Sequence, residues 1–179
     1  MNKKQIAILS NGNILHKDEG IALYASKYLE SNYSFHPSVD IIHGGVEGMS
    51  LVNIFTQYEE VIVLDAIGIE DDPGSLYDFP MAQFRSFSTD GAANETGVLE
   101  CLNLLEGRGD VIPKVCLLSI VPGSTDKEVG LSPSLFKPFE AYILMIVKTL
   151  EKKGFTSEEK AEKETLESVI KSFANRDWA

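Results

Sequence analysis

Short apolar runs alternate with amphipathic segments along most of the chain. The runs that have the length of buried strands are residues 5–10, 39–42, 61–64 and 114–120. Apolar residues recur at helical spacing in residues 20–30, 49–58 and 94–105, and again from Leu131 onward. Strands that are covered on both faces appear as continuous apolar runs, and helices between them make the crossovers of a parallel sheet. The pattern predicts an α/β domain, a three-layer sandwich with a mostly parallel twisted sheet of about five strands flanked by helices.

Turn signals divide the second half of this pattern. The run Asp71-Asp72-Pro73-Gly74 predicts a tight turn, because Pro presets one backbone dihedral and Gly permits a positive one. A short strand over residues 75–79 and an irregular loop over 80–93 are predicted to follow. Ser132 and Pro133 have the residue types that favour the N-cap and the first position of the last packed helix.

Beyond residue 150 the composition becomes strongly charged. Thr156 and Glu159 have the spacing of a capping box, so a helix is predicted to begin there. An apolar stripe follows on that helix, at Leu166, Val169, Ile170 and Phe173. We therefore predict one domain over residues 1–150 and a charged helical tail over 151–179, docked weakly on the domain or on a partner.

Composition and charge limit the partners. The 179 residues are 44% hydrophobic, enough for one core, and 16 Lys and Arg against 27 Asp and Glu give a net charge of -11. Such a charge repels nucleic acid and anionic membrane surfaces. The apolar run near the start is far shorter than a signal peptide requires, and Cys101 and Cys116 lack the spacing of a disulfide framework or a zinc site. We expect a cytoplasmic monomer with reduced thiols.

Two acidic residues follow predicted strands closely enough to meet at one sheet edge. Glu19 lies in the loop after the first strand, and Asp65 ends the third. Ligands of open parallel sheets bind outside the carboxyl ends of the strands, where the strand order reverses. Two carboxylates at that edge indicate a divalent cation or acid/base chemistry. The structural alternatives are that Asp18 and Glu19 only stabilise a helix start and that Asp65 is a turn residue.

A glycine-rich connection, His43-Gly44-Gly45-Val46-Glu47-Gly48, follows the second strand. Its glycines Gly44, Gly45 and Gly48 permit close approach of another chain, which predicts substrate contacts, or else a tight turn within the protein. His43 is either a third metal ligand or a structural histidine. The sequence has no GxGxxG, P-loop, GxSxG or HExxH motif, which argues against a nucleotide site, a serine hydrolase and a zinc protease.

Taken in order, five short motifs resemble those of the nickel-iron hydrogenase maturation endopeptidases. They are Gly12-Asn13-Ile14-Leu15 with Asp18-Glu19-Gly20, Gly44-Gly45 with Glu47-Gly48-Met49, Leu64-Asp65-Ala66-Ile67 with Pro73-Gly74, Ser119-Ile120-Val121-Pro122, and Gly130-Leu131-Ser132-Pro133. The resemblance spans about residues 5–150. It implies a cytoplasmic protease that removes the C-terminal extension of a hydrogenase large-subunit precursor after nickel insertion.

In proteins of that family a glutamate, an aspartate and a histidine sense nickel held by the precursor. The glutamate matches Glu19 and the aspartate matches Asp65, so the resemblance implies that these two residues are the metal ligands and catalytic residues. The histidine position matches Asn94, a weaker ligand for nickel than imidazole. Three residues are candidates to replace it if the loop folds inward: His43, Asp90 and Glu95. Another divalent ion can take the place of nickel.

Two other functions stay open at this point. Loss of the family histidine at Asn94 is compatible with a non-catalytic relative that binds the precursor or nickel as an assembly factor. A flavodoxin-like module for small molecules is disfavoured because the phosphate-binding loop is missing.

Overall fold

A computed structural model describes residues 3–44, 49–88 and 96–175. Seven strands are assigned in this part of the chain: β1 (Lys4–Ser10), β2 (Tyr33–His36), β3 (Asp40–Ile42), β4 (Tyr58–Ala66), β5 (Leu76–Pro80), β6 (Lys114–Ile120) and β7 (Thr156–Glu159). The helices in the same residues are α1 (Ile21–Asn32), α2 (Met49–Gln57), α3 (Met81–Ser88), α4 (Thr96–Arg108), α5 (Pro133–Lys152) and α6 (Leu166–Ala174). A 3-10 turn, Lys17–Gly20, precedes α1.

The main sheet has five strands in the order β3-β1-β4-β6-β5. Strands β3, β1, β4 and β6 are parallel to one another, and only the edge strand β5 runs antiparallel to its neighbour. The predicted α/β class and its mostly parallel sheet are therefore confirmed.

Helices cover both faces of this sheet, because successive residues of the buried strands point to opposite sides. Ile62 and Leu64 of β4 belong to the core formed with α1 and α5. Val61 and Val63 of the same strand belong to a second core, formed with α2 and α4. Both sets are almost fully buried, which explains why this strand appears in the sequence as a continuous apolar run.

The predicted loop over residues 80–93 is wrong for its first half, which forms α3. The segment is short, and it leads into the polar run Ser88-Thr89-Asp90-Gly91, so the local sequence was interpreted as a loop. Tertiary contacts stabilise it instead: Arg85 pairs with Glu106 of α4 at 3.0 Å. Residues 89–95, including Asp90, Asn94 and Glu95, lie outside the described part of the chain.

The predicted helix start at Thr156 is also wrong. Residues 156–159 form β7, which pairs antiparallel with β2, a strand that the sequence did not indicate. Pairing with a distant strand satisfies the backbone groups of this segment better than a local capping box does. The helix begins later, with Thr165 as its N-cap, whose side chain accepts a hydrogen bond from the Ser168 amide at 3.1 Å. The domain boundary near residue 150 stays a prediction.

The apolar stripe of the last helix packs on the main core. Val169 and Phe173 are buried, and the Phe173 ring meets Tyr24 of α1 edge to face, with ring centroids 5.3 Å apart. Within the described residues, no helix combines the length and the apolar character that a membrane span needs.

We expect Phe173→Ala to lower the free energy of unfolding by about 3 kcal/mol, because it leaves a cavity in this core. Urea denaturation measures the change. The control is Lys171→Ala, an exposed position on the same helix that should change the free energy of unfolding by less than about 0.5 kcal/mol. Equal effects of the two variants would show that α6 does not contribute to the stability of the core.

Candidate functional site

The strand order reverses between β1 and β4. From β1 the chain moves to β3 on one side of the sheet, and it then returns to form β4 on the other side. The crevice outside the carboxyl ends of β1 and β4 is therefore the topological switch point, where ligands of open α/β sheets bind. The loop that carries Glu19 leaves β1 at this crevice, and Asp65 lies at the end of β4.

Asp65 is a buried carboxylate with a perturbed pKa. Its Oδ2 accepts a hydrogen bond from Asn11 Nδ2 at 2.9 Å, and its Oδ1 accepts one from the Ala66 amide at 2.8 Å. Burial raises the pKa of Asp65 from the usual 3.8 to about 7, the nearby negative charge of Glu19 adds to that increase, and the two hydrogen bonds oppose it. The structure thus places the charge of Glu19 close enough to Asp65 to repel it.

Glu19 is half-buried in the 3-10 turn before α1. Its carbonyl oxygen accepts a hydrogen bond from the Asn13 amide at 3.0 Å, so the loop after β1 folds back on itself. Gly12 makes this possible: it has a φ of 151°, and a Cβ atom there would overlap the Glu19 carbonyl oxygen. Gly12 therefore lets the loop approach closely enough to hold Glu19 in its position.

We expect Gly12→Ala to displace the Glu19 turn and to lower the free energy of unfolding by about 1–3 kcal/mol. Urea denaturation measures the change. Gly68→Ala is the matched control, because a Cβ atom at Gly68 meets nothing within 4 Å. Equal free energies of unfolding for the two variants would show that the close contact at Gly12 does not hold the Glu19 turn in place.

Asp18, the residue before Glu19, has a different role from the helix-end stabilisation considered above. Its buried carboxylate accepts hydrogen bonds from the amides of Gly123 and Ser124, both at 2.8 Å, and from the amide and hydroxyl of Ser132, both at 2.6 Å. Asp18 therefore joins the loop after β1 to the loop after β6. The predicted start of the last packed helix is confirmed, with Ser132 as the N-cap residue and Pro133 as the first residue of α5. The Ser132 side chain makes no capping hydrogen bond, and its hydroxyl donates to Asp18.

His43 is engaged with α1. Its Nδ1 lies 2.9 Å from Ser26 Oγ and its Nε2 lies 3.3 Å from Glu30 Oε2, so both ring nitrogens have partners. The hypothesis that His43 replaces the third ligand gains no support from these contacts. Gly44 packs against its own chain, since a Cβ atom there would come within 2.7 Å of the Ser10 carbonyl oxygen.

The remaining candidates lie outside the described residues: Gly45, Gly48, Asp90, Asn94 and Glu95. Their roles stay predictions. Within residues 3–44, 49–88 and 96–175, no cluster of three or more His, Cys, Asp or Glu side chains is suited to hold a metal ion. The part of the site that the structure describes is thus the pair Glu19 and Asp65 with its hydrogen-bond partners.

A family model of hydrogenase maturation proteases, HycI, matches residues 23–149 of the chain. The chain belongs to the hydrogenase maturation protease family. The match includes Asp65 and begins shortly after Glu19. Members of this family are peptidases, which supports a hydrolase that acts on peptide bonds. The expected family and enzyme class are therefore confirmed.

Individual relatives agree with this assignment. The hydrogenase 2 maturation protease of Escherichia coli is 26% identical over 152 residues, which cover 84% of this chain and 93% of the relative. The solved structure of the maturating endopeptidase HybD from E. coli has a TM-score of 0.80 and 25% identity, covering 88% of this chain and 98% of its own. The protease HybD from Thermococcus kodakarensis, with a TM-score of 0.65 and 22% identity, shares the fold over 81% of this chain and 98% of its own.

The chemistry of the protease's described site fits a divalent cation. Two carboxylates whose negative charges repel each other, one of them buried, are costly to keep ionised together. A cation between them removes that repulsion, and carboxylate oxygens are suitable ligands for nickel and for other divalent ions. The sequence pointed to both carboxylates but missed Asn11, whose only signal was that it directly follows a strand that neighbours β4.

Proposed function

We propose that this protease removes the C-terminal extension of a nickel-iron hydrogenase large-subunit precursor after nickel has been inserted, and that Glu19 and Asp65 bind the nickel of the precursor. The observation that carries the proposal is the buried Asp65, with a pKa of about 7 beside the charge of Glu19, at the switch point of a hydrogenase maturation protease. The name of the E. coli relative, hydrogenase 2 maturation protease, supports the same class of substrate.

In this proposal the nickel belongs to the substrate. Binding between Glu19 and Asp65 gives the two carboxylates a shared countercharge, so a precursor without metal meets a site with uncompensated repulsion and binds less well. Metal recognition thus selects precursors that are ready for cleavage. Hydrolysis then requires a water oxygen to attack the scissile carbonyl carbon, the C–N bond to break and the departing amide nitrogen to take up a proton. A divalent ion next to the bond can polarise that carbonyl.

The test is to incubate the full chain with nickel-loaded and with nickel-free precursor, and to measure shortening of the precursor by mass spectrometry. We expect shortening only of the loaded form, and at least a hundredfold slower cleavage with Asp65→Asn or Glu19→Gln. The matched controls Asp72→Asn and Glu70→Gln change exposed carboxylates after β4 and should cleave like the wild type.

Two other results would contradict the proposal. Co-purification with the precursor without shortening would indicate the assembly-factor function instead of a protease. Equal cleavage of the two precursor forms would show that nickel is not sensed. We expect the protein to act in the cytoplasm as a monomer, which cell fractionation and size-exclusion chromatography can test.

A further inference from the structure

A row of polar side chains crosses the sheet at the level of Asp65. Asp65 pairs in register with Ser119 of β6, and Ser119 pairs with Tyr77 of β5. On the other side Ser10 pairs with Leu64, so the next residue, Asn11, stands level with Asp65. The carboxylate therefore has a polar neighbour on each side.

Asn11 and Ser119 differ in the hydrogen bonds that they make. Asn11 is attached to β4 twice: its backbone amide donates to the Leu64 carbonyl oxygen at 2.9 Å, and its Nδ2 donates to Asp65 Oδ2, also at 2.9 Å. The hydroxyl of Ser119 is fully buried and has no hydrogen-bond partner among the described residues. Of the two neighbours, it is thus Asn11 that restrains the carboxylate.

Asn11 also belongs to the loop that carries Glu19. Gly12 follows it directly, and Asn13 binds the Glu19 carbonyl oxygen through its backbone amide. The bond from Asn11 to Asp65 therefore connects the two halves of the candidate site. Without it, the described residues give the Asp65 carboxylate only the Ala66 amide, a donor next to it in the chain, so the carboxylate can rotate more freely.

We propose that Asn11 is a positioning residue: its side-chain amide sets the rotation of the Asp65 carboxylate and holds the Glu19 loop against β4, so that both carboxylates face one divalent ion. This inference rests on the metal recognition proposed above. Hydrogen bonds that orient a metal-binding carboxylate typically change metal affinity or activity by about 10- to 100-fold when they are removed.

The test measures binding of Ni²⁺ alone to the full chain by isothermal titration calorimetry at pH 8. We expect Asn11→Leu, which is similar in size but has no hydrogen-bond donor, to raise the Kd for Ni²⁺ at least tenfold. Ser119→Ala is the matched control, because it removes the neighbouring polar group that has no partner, and it should stay within twofold of the wild type. With nickel-loaded precursor, Asn11→Leu should raise KM about tenfold and change kcat less, since the lost bond acts on recognition.

Asn11→Ser provides a smaller replacement that also lacks the amide, and circular dichroism verifies the fold of each variant. A Kd of both Asn11 variants within twofold of the wild type would overturn the proposal, as would an equal loss in Ser119→Ala. Failure of both Asn11 variants to fold would also overturn it, because Asn11 would then serve stability. Asp65→Asn separates this proposal from the proposed function: if Asp65→Asn binds Ni²⁺ like the wild type, the metal site itself is wrong.

Discussion

Asp65→Asn is expected to stabilise the protein at pH 8 while it abolishes precursor cleavage. The pKa of Asp65 is about 7 in the folded protein and near 3.8 when the chain is unfolded. Because the folded state holds this proton more tightly, the free energy of unfolding falls as pH rises from about 4 to about 7. The difference of about three pKa units lowers the free energy of unfolding by at most about 4 kcal/mol above pH 7. Asparagine does not ionise, so the variant avoids this loss. Part of the gain is lost, because an amide cannot accept both hydrogen bonds as a carboxylate does.

Urea denaturation between pH 4 and pH 8 measures this effect as the difference between Asp65→Asn and the wild type. The difference should grow in favour of the variant across the window and then level off. Asp72→Asn, an exposed carboxylate in the loop after β4, should show a difference that hardly depends on pH. If the difference in the free energy of unfolding between Asp65→Asn and the wild type does not change with pH, the raised pKa is contradicted. The combination of higher stability with lost activity is the trade-off expected of a functional residue held in an unfavourable environment.

Asp18→Ala is expected to lower the free energy of unfolding by about 3–5 kcal/mol. The substitution removes the acceptor of four hydrogen bonds and leaves the donors of Gly123, Ser124 and Ser132 without it. Hydrogen bonds to charged groups contribute about 1.5–3 kcal/mol each, and they are not additive within one network. Amide hydrogen exchange at these three residues should accelerate, because the loop after β6 is no longer attached to the loop after β1.

The control for this prediction is Asp126→Ala. Asp126 lies in the same loop and pairs with Lys17 at 3.4 Å, but its side chain is 76% exposed, so the loss should be within about 0.5 kcal/mol. An unfolding free energy of Asp18→Ala within about 1 kcal/mol of the wild type would contradict the role of Asp18 as an anchor between the two loops.

Periodicity predicted the central strands well because they are buried on both faces. The predicted run 114–120 coincides with β6, and the predicted 5–10 differs from β1 by one residue. Prediction was wrong where weak local signals competed with distant partners. Residues 81–88 form a helix that contacts β5 and β6 and makes an ion pair with Glu106 of α4. Residues 156–159 pair with β2, more than a hundred positions away.

The residues of the candidate site were likewise predicted only in part. Glu19 and Asp65 were marked by their positions after apolar runs, because the carboxyl ends of parallel strands meet at one edge of the sheet, where ligands bind. Asn11 and Asp18 were not marked as partners, because their hydrogen bonds go to groups that become neighbours only after folding. Asp18 binds backbone amides more than a hundred residues away. Every residue except proline has a backbone amide, so the residue types do not show which amides Asp18 will bind.

The sequence by itself determined the alternation of strands and helices, the family motifs and the acidic residues at the strand ends. Each of these depends on residues that are close together in the chain. The tertiary structure alone decided that Asn11 stands level with Asp65, that Asp65 is buried enough for its pKa to reach about 7, and that Asp18 is an anchor while Glu19 is the charge beside Asp65. Strand register, burial and charge proximity are properties of segments brought together from distant parts of the chain, so no local pattern can specify them.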